Sequence, residues 1–453
     1  MPELVESAEN VIQGAKEAVL PHFTFLKEVM ETGPKLMVRG KGVRLWDIHG
    51  KEYIDGMSIL WVVNAGHGRE EIKEAVTAQM DKISYATLFG GYFNEPAVRL
   101  AQKLALITPG DLTHTFFVSG GSEAIETSVK IARQYHQLNG HPNRYKVIGR
   151  REAYHGTTYG ALSLSGIKAN RTPFEPLLPG FRHISPPYCY RCDFGKAYPE
   201  CDLDCVRTLQ QLIEFEGPKT IACVVMEPVM SALGSVAPPQ EYYRKIREIC
   251  DQYGILLVLD EVNNGFGRIG RMFASEHYGI TPDMMTFAKG LSSGYMPIGA
   301  TIVRRGIAEK FVDWMLVHGL TFGGHPLACA AALKNIEIIE KENLPARSAE
   351  MGAYLLEKLK TLEEHSIVGD VRGLGLHTSV EYVKDKKTKE RLSGRVRIAS
   401  KVEERMYRRG IYLCRASVDK TYIAPPLIVR KEEIDRIVNA LDESIGEVEK
   451  EIA

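Results

Sequence analysis

The chain has 453 residues, with 57 acidic and 57 basic side chains and therefore no net formal charge. That length exceeds one ordinary hydrophobic core and implies two or three domains. The balanced charge, without a basic tail or Lys/Arg block, excludes nucleic acid and anionic membrane as expected partners and suits a small or zwitterionic substrate. The first thirty residues mix charge with short apolar patches and lack the pattern of a secretory signal. No apolar run approaches the roughly 18 residues that span a bilayer. A soluble, cytoplasmic protein is expected.

In chain order, residues 38–47 read as a hairpin, and helical periodicity marks 70–80 and 97–105. A strand over 115–118 ends in Ser119-Gly120-Gly121-Ser122, where a helix over 122–133 begins. Glycines permit a tight turn there, and the new helix offers unpaired N–H groups and its positive end to an anion. Ser122 is a natural cap or a direct phosphate donor; a ligand-free strand–helix turn is the plainer reading. No P-loop lysine follows. After a strand over 145–149, Tyr154-His155-Gly156 places an aromatic where it could stack on a planar ring, or simply in a loop.

Four of the eight cysteines then cluster as Cys189, Cys192, Cys201 and Cys205. They read as reduced, partly buried thiols; structural zinc and one or two disulfides are the alternatives. Cys205 also opens a helix through Val206, Leu209, Leu212 and Ile213. Strands over 220–226 and 255–259 are too uniformly apolar for a half-exposed sheet and read as central parallel strands. A helix over 240–253 separates them. A strand over 299–303 follows, then helices over 326–339 and 348–362. The tail has elements at 369–378, 402–409 and 431–448 around a charged insertion near 384–391. Alternating strands and helices predict an α/β fold with a mostly parallel sheet.

The apolar strand 255–259 runs into Asp260-Glu261, and Lys289 lies in Thr286-Phe-Ala-Lys289-Gly290. A lysine among small residues, an acid at a strand end and a Gly-Ser turn together fit an enzyme holding pyridoxal phosphate. The lysine would form a Schiff base and the acid would pair with the pyridine nitrogen. Any one of the three alone is as well explained by a surface lysine, a strand-end acid or a turn.

The stretch Asp260-Glu261-Val262-Asn263-Asn-Gly265-Phe266-Gly267-Arg268, followed by Phe287-Ala-Lys289-Gly290, resembles the signature of class III (ω-) aminotransferases. Ser119-Gly-Gly-Ser-Glu-Ala124, Tyr154-His-Gly156, Met226-Glu227-Pro228, Thr321-Phe-Gly-Gly324-His-Pro326 and Pro425-Pro426-Leu427 agree in order and spacing. The resemblance covers residues 20–450. It implies fold type I: a large domain with a mostly parallel sheet flanked by helices, and a smaller α+β domain. The boundaries expected are 1–65 for an N-terminal segment joining the small domain, 66–325 for the large domain and 326–453 for the small one.

The resemblance also assigns roles. Lys289 is similar to the Schiff-base lysine that moves the proton, and Asp260 to the acid that keeps the pyridine nitrogen protonated. Gly121 and Ser122 look like phosphate donors. Thr321 looks like a third, supplied by the neighbouring subunit of a homodimer or of a dimer of dimers. Tyr154 and Val262 flank the ring, and His155, Glu227 and Asn263 join the cofactor site. Asn263 departs from the usual Gln or branched residue and is one methylene shorter than Gln. Met230-Ser231-Ala232 departs from the commoner Gln-Gly-Ala.

Trp61, Phe89, Tyr154 and Ala232 resemble substrate-pocket positions, although Trp61 also suits a core. Arg415 looks like the arginine that binds the carboxylate of pyruvate, with Glu227 as its counter-charge; a surface arginine in a mobile loop is its bland reading. The expected activity is a ping-pong transamination from an ω-amino acid or primary amine to pyruvate, giving alanine. The alternatives are 2-oxoglutarate as acceptor, a donor such as GABA, taurine or a diamino acid, or a glutamate-1-semialdehyde-type aminomutase.

Overall fold

The computed structural model describes residues 7–392, 394, 396–414 and 417–452. Two helices, Ala8–Ala18 and Leu26–Thr32, precede strands β1 (Met37–Lys41), β2 (Arg44–Asp47) and β3 (Glu52–Asp55). A central sheet follows from β4 (Leu112–Val118), β5 (Lys146–Arg150), β6 (Phe181–Ile184), β7 (Ile221–Met226), β8 (Leu256–Asp260), β9 (Met284–Phe287) and β10 (Gly299–Arg304). Then come β11 (Val368–Gly373), β12 (Thr378–Tyr382), β13 (Ile411–Tyr412) and β14 (Lys420–Ile423). The central sheet has the order β4-β10-β9-β8-β7-β5-β6. Only β10 runs against its neighbours. This is the fold type I architecture expected from the sequence.

The two strands read as doubly buried behave so, because every residue of β7 and β8 is buried. In β7, Cys223 and Val225 join one apolar cluster with Ile125, Val129 and Ala132 of helix α3 (Gly121–Leu138). Val224 and Met226 join another with Val206, Leu209, Tyr242 and Ile246. The period-two alternation of a strand thus gives each helical layer its own half of an all-apolar sequence.

Helix α1 (Glu70–Lys82) and helix α2 (Glu95–Ile107) precede α3. Helix α2 starts two residues before the periodicity suggested, because the Asn94 side chain accepts from Ala97 N–H at 3.0 Å and Pro96 fits its first turn. Helices α4 (Asp204–Glu216), α5 (Tyr242–Tyr253), α6 (Pro326–Lys341) and α7 (Leu344–Lys360) match the expected ones to within a few residues. Helices α8 (Ile398–Arg408) and α9 (Lys431–Ile452) close the chain.

The hairpin expected at 38–47 is β1–β2, and its sheet continues through β3 to β13 from the far end of the chain. Two strands of the central sheet escaped the sequence reading, β6, whose Phe-Arg-His-Ile shows no period-two pattern, and four-residue β9; the short strands β3, β13 and β14 escaped it as well. The element expected at 369–378 is the β11–β12 hairpin and its turn. Among the described residues no helix is long and apolar enough to cross a membrane.

One core residue is at odds with its surroundings. Glu403 of α8 is buried, and neither carboxylate oxygen has a hydrogen-bond partner among the described residues. Burial holds its pKa well above the usual value, with only Lys35 acting the other way. A carboxyl protonated in the fold and ionised in the unfolded chain costs stability as pH rises from the unfolded pKa to the folded one. Glu403→Met should therefore raise Tm near pH 8, by an amount equivalent to roughly 1–3 kcal/mol. The gain should shrink toward pH 4.5, where the carboxyl is protonated in both states. Thermal melts at both pH values test this, and an equal or lower Tm for the variant at pH 8 rejects it.

Candidate active site

Five strands that run in one direction deliver the expected residues from their carboxyl ends. Ser119–Ser122 follow β4, Tyr154 follows β5, Glu227 follows β7, Asp260–Asn263 end and follow β8, and Lys289 follows β9. In an open α/β sheet this rim is where ligands bind.

Lys289 lies two residues beyond the end of β9, with φ +43, a left-handed conformation unusual for a residue with a side chain. Its Nζ donates to Asn263 Oδ1 and sits 5.5 Å from the centre of the Trp61 ring. Burial pushes the amine pKa down to about 8, against the opposing pull of Asp260 and Glu227. An amine so placed is half neutral, and hence nucleophilic, near pH 8. The shortened Asn263 thus has a partner that its sequence position did not suggest.

Asp260 is buried, with three hydrogen bonds. His155 Nδ1 lies 2.7 Å from Oδ2. Val262 N–H and the Thr286 hydroxyl donate to Oδ1 at 3.1 and 3.3 Å. A carboxylate offers about four lone-pair sites. With His155 as donor, one is left for a further proton donor, which fits a protonated pyridine nitrogen.

Glu227, also buried, accepts from the backbone N–H groups of Tyr154 and Ser231, both at 3.1 Å. Burial raises its pKa. The half-buried Tyr154 has its phenol pKa raised by burial and then by the charges of Asp260 and Glu227.

Helix α3 begins at Gly121, and a Cβ there would fall 3.1 Å from Val262 Cγ1. Ser122 Oγ accepts from Thr157 N–H at 3.1 Å. Gly156, at φ +137, closes the other side, where a Cβ would strike that same oxygen. Helix N–H groups, a serine hydroxyl and two positions without a Cβ make a cradle matched to a phosphate. A buried amine, a buried carboxylate with a lone pair to spare and this cradle are the chemistry that pyridoxal phosphate requires.

Trp61, expected from the resemblance in the substrate pocket, belongs to a second cluster. Trp61 stacks on His377, with centroids 5.7 Å apart and planes at 17°, and meets Tyr422 edge-on at 5.0 Å. The Tyr422 hydroxyl donates to the Ala232 carbonyl at 2.7 Å. Arg268 is fully buried and ties distant segments together here. It donates to the carbonyls of Leu376, Ala424 and Pro425 and to the side chains of Ser58 and Asn64. Neither His377 nor the packing role of Arg268 was foreseen; each acts through residues more than a hundred positions away.

Phe89 and Thr321 are not in this cluster. Both are exposed; Phe89 packs against Gly319, and the Thr321 carbonyl accepts from Tyr85 OH at 2.7 Å. Arg415 lies outside the described residues. The four clustered cysteines line one cavity of about 20 Å³ as free thiols. Burial raises the Cys205 pKa to about 12. Among the described residues no group of three or more His, Cys, Asp or Glu is placed to hold a metal.

The family model for class III aminotransferases matches residues 28–445. An (S)-enantioselective ω-transaminase structure from Thermomicrobium roseum superposes with a TM-score of 0.95 at 43% identity, covering 98% of this chain and 99% of that one. The putrescine–pyruvate aminotransferase of Pseudomonas aeruginosa is 38% identical over 92% of both chains. The diaminobutyrate–2-oxoglutarate transaminase of Halomonas elongata is 36% identical over 91% of this chain and 90% of its own.

Proposed function

The chain belongs to the class III aminotransferases, which use pyridoxal 5′-phosphate, and on that footing we propose that it carries an amino group from an ω-amino acid or primary amine to pyruvate, releasing alanine. The observation that carries this reading is the wall beside Lys289, where the Trp61 ring lies 5.5 Å from Nζ. An apolar face at that distance suits the substituent of an amine better than a second carboxylate. The Pseudomonas relative, named for putrescine and pyruvate, supports the same pair.

When bound, the cofactor supplies the electron sink that lets the carbon bearing nitrogen lose a proton. The chain's own residues would do the rest. Lys289 Nζ is the covalent anchor and proton carrier, oriented by Asn263. Asp260 holds a proton at the pyridine nitrogen, and His155 fixes the carboxylate that does so. Gly121, Ser122 and the N-terminus of α3 bind the phosphate, while Tyr154 and Val262 flank the ring. Glu227 fixes the backbone of Tyr154 and Ser231, and Ala232 leaves room beside Trp61. Arg415 would receive the keto-acid carboxylate.

Thr321 and Phe89 serve the site of a second copy in this reading. A single chain leaves Tyr85, Phe89, Tyr92, Phe93 and Phe322 exposed around Thr321, as a face buried by a second subunit requires. The test of function is an initial-rate panel of primary amines and ω-amino acids against pyruvate and 2-oxoglutarate. Alanine should form with the higher kcat/KM. Faster formation of glutamate would assign the chain to the 2-oxoglutarate branch, to which its Halomonas relative belongs by name.

A further inference from the structure

We propose that His377 is a positioning residue for substrate selection: clamped between Ser231 and Ser235, it backs the Trp61 ring and so limits the substituent an amine donor can carry past Lys289. This rests on Trp61 being the pocket wall, as proposed above.

His377 is fully buried, with Nδ1 2.8 Å from Ser235 Oγ and Nε2 3.1 Å from Ser231 Oγ. A serine hydroxyl both donates and accepts, so the pair satisfies a neutral imidazole in either tautomer. The ring also stays neutral. Burial first, then Arg268 and Lys289, push its pKa down to about 3. Two hydrogen bonds at opposite edges fix the plane of the ring, and that plane lies at 17° to Trp61.

Trp61 needs such backing. Its indole N–H is buried without a hydrogen-bond partner among the described residues, so no polar contact orients the ring. Its backbone does not orient it cheaply either. Ser58, Ile59 and Trp61 have φ of +48, +62 and +56, conformations that persist only where neighbours impose them. Ser58 is held by donating to the Ala424 carbonyl and accepting from Arg268, both at 2.8 Å. Among the described residues the indole meets the rings of His377 and Tyr422, with Lys289 Nζ over its face. A glycine at position 231 would leave His377 Nε2 without the Ser231 hydroxyl.

The test compares wild type, His377→Ala and Ser231→Gly as full-length holoenzymes, with 1-phenylethylamine and the bulkier 1-phenylbutylamine as donors. Releasing Trp61 should raise the bulky-to-small ratio of kcat/KM by about ten-fold in His377→Ala, the scale on which a pocket discriminates alkyl size. Ser231→Gly should shift it in the same direction by less, and it carries the test if His377→Ala does not fold. A second readout needs no catalysis. With Trp46 and Trp314 replaced by Phe, Trp61 is the only tryptophan. Its quenching by acrylamide should increase in both variants. An unchanged ratio in a folded, cofactor-bearing variant overturns the proposal, as does unchanged quenching. If wild type transaminates neither amine with either keto acid, the proposed function fails instead, and quenching still decides whether His377 holds Trp61.

Discussion

Lys289→Ala should abolish turnover while leaving the protein folded. The substitution removes the covalent anchor and the proton carrier together, and the loss should exceed about 10⁴-fold, the upper end of what one positioned acid–base group contributes. Among the described residues no second amine stands beside Lys289 to take over these roles. The other basic group of the cluster, Arg268, spends its donors on carbonyls and on Ser58 and Asn64. The variant also has a readout independent of catalysis. The Lys289 amine is depressed to about 8 in the fold, from an ordinary value of 10.5. A base depressed in this way costs stability while it stays protonated, and the cost is relieved as pH rises between the two values. Compared as cofactor-free proteins, Lys289→Ala should therefore melt above wild type at pH 7, with the difference shrinking as pH rises from 8 toward 10.5. Near-normal steady-state transamination by the variant would sink the assignment of the anchor.

What the sequence made legible divides by distance along the chain. Asp260, Lys289 and the Gly121–Ser122 turn are local events: an apolar strand ending in an acid, a lysine among small residues, two glycines before a helix. Each could be read within about ten residues, and the fold brings all three to one rim of the central sheet. Long-range partners left no such mark. His377 meets Trp61 across more than three hundred residues, and only the fold reveals that Ser231 and Ser235 hold it. Arg268 was read as part of a signature; its five acceptors come from residues 58, 64, 376, 424 and 425. The shortening at Asn263 was legible, whereas its bond to Lys289 required the turn after β9. Phe89 and Thr321 were assigned to pocket and phosphate only through resemblance, and one chain carries both on an exposed face.

Asp260→Asn should slow the half-reaction with L-alanine by roughly 10²–10³-fold, the scale for removing one preorganised electrostatic group. The reason lies in the hydrogen bonds the side chain already makes. Val262 N–H and the Thr286 hydroxyl approach Oδ1, and His155 approaches Oδ2. An asparagine has one acceptor oxygen and one donor amide. Its oxygen must face Val262, because that backbone N–H can only donate. The NH₂ is then turned toward His155 and toward the position of the pyridine nitrogen, where a donor cannot hold a proton. His155 must respond as well. Its Nδ1 has to accept, which drives the imidazole proton to Nε2, a buried atom with no partner. The substitution thus removes the negative charge beside the pyridine nitrogen and reverses the His155 tautomer in one step. Nitrogen-15 NMR of the labelled histidine should show the proton moving from Nδ1 in wild type to Nε2 in the variant, and single-turnover absorbance should show the slowed proton loss. A tautomer reversal with an unchanged rate would confine Asp260 to a structural role. An unchanged tautomer would mean that the Asn amide has turned the other way, with Val262 N–H left facing a donor and the loop after β8 displaced.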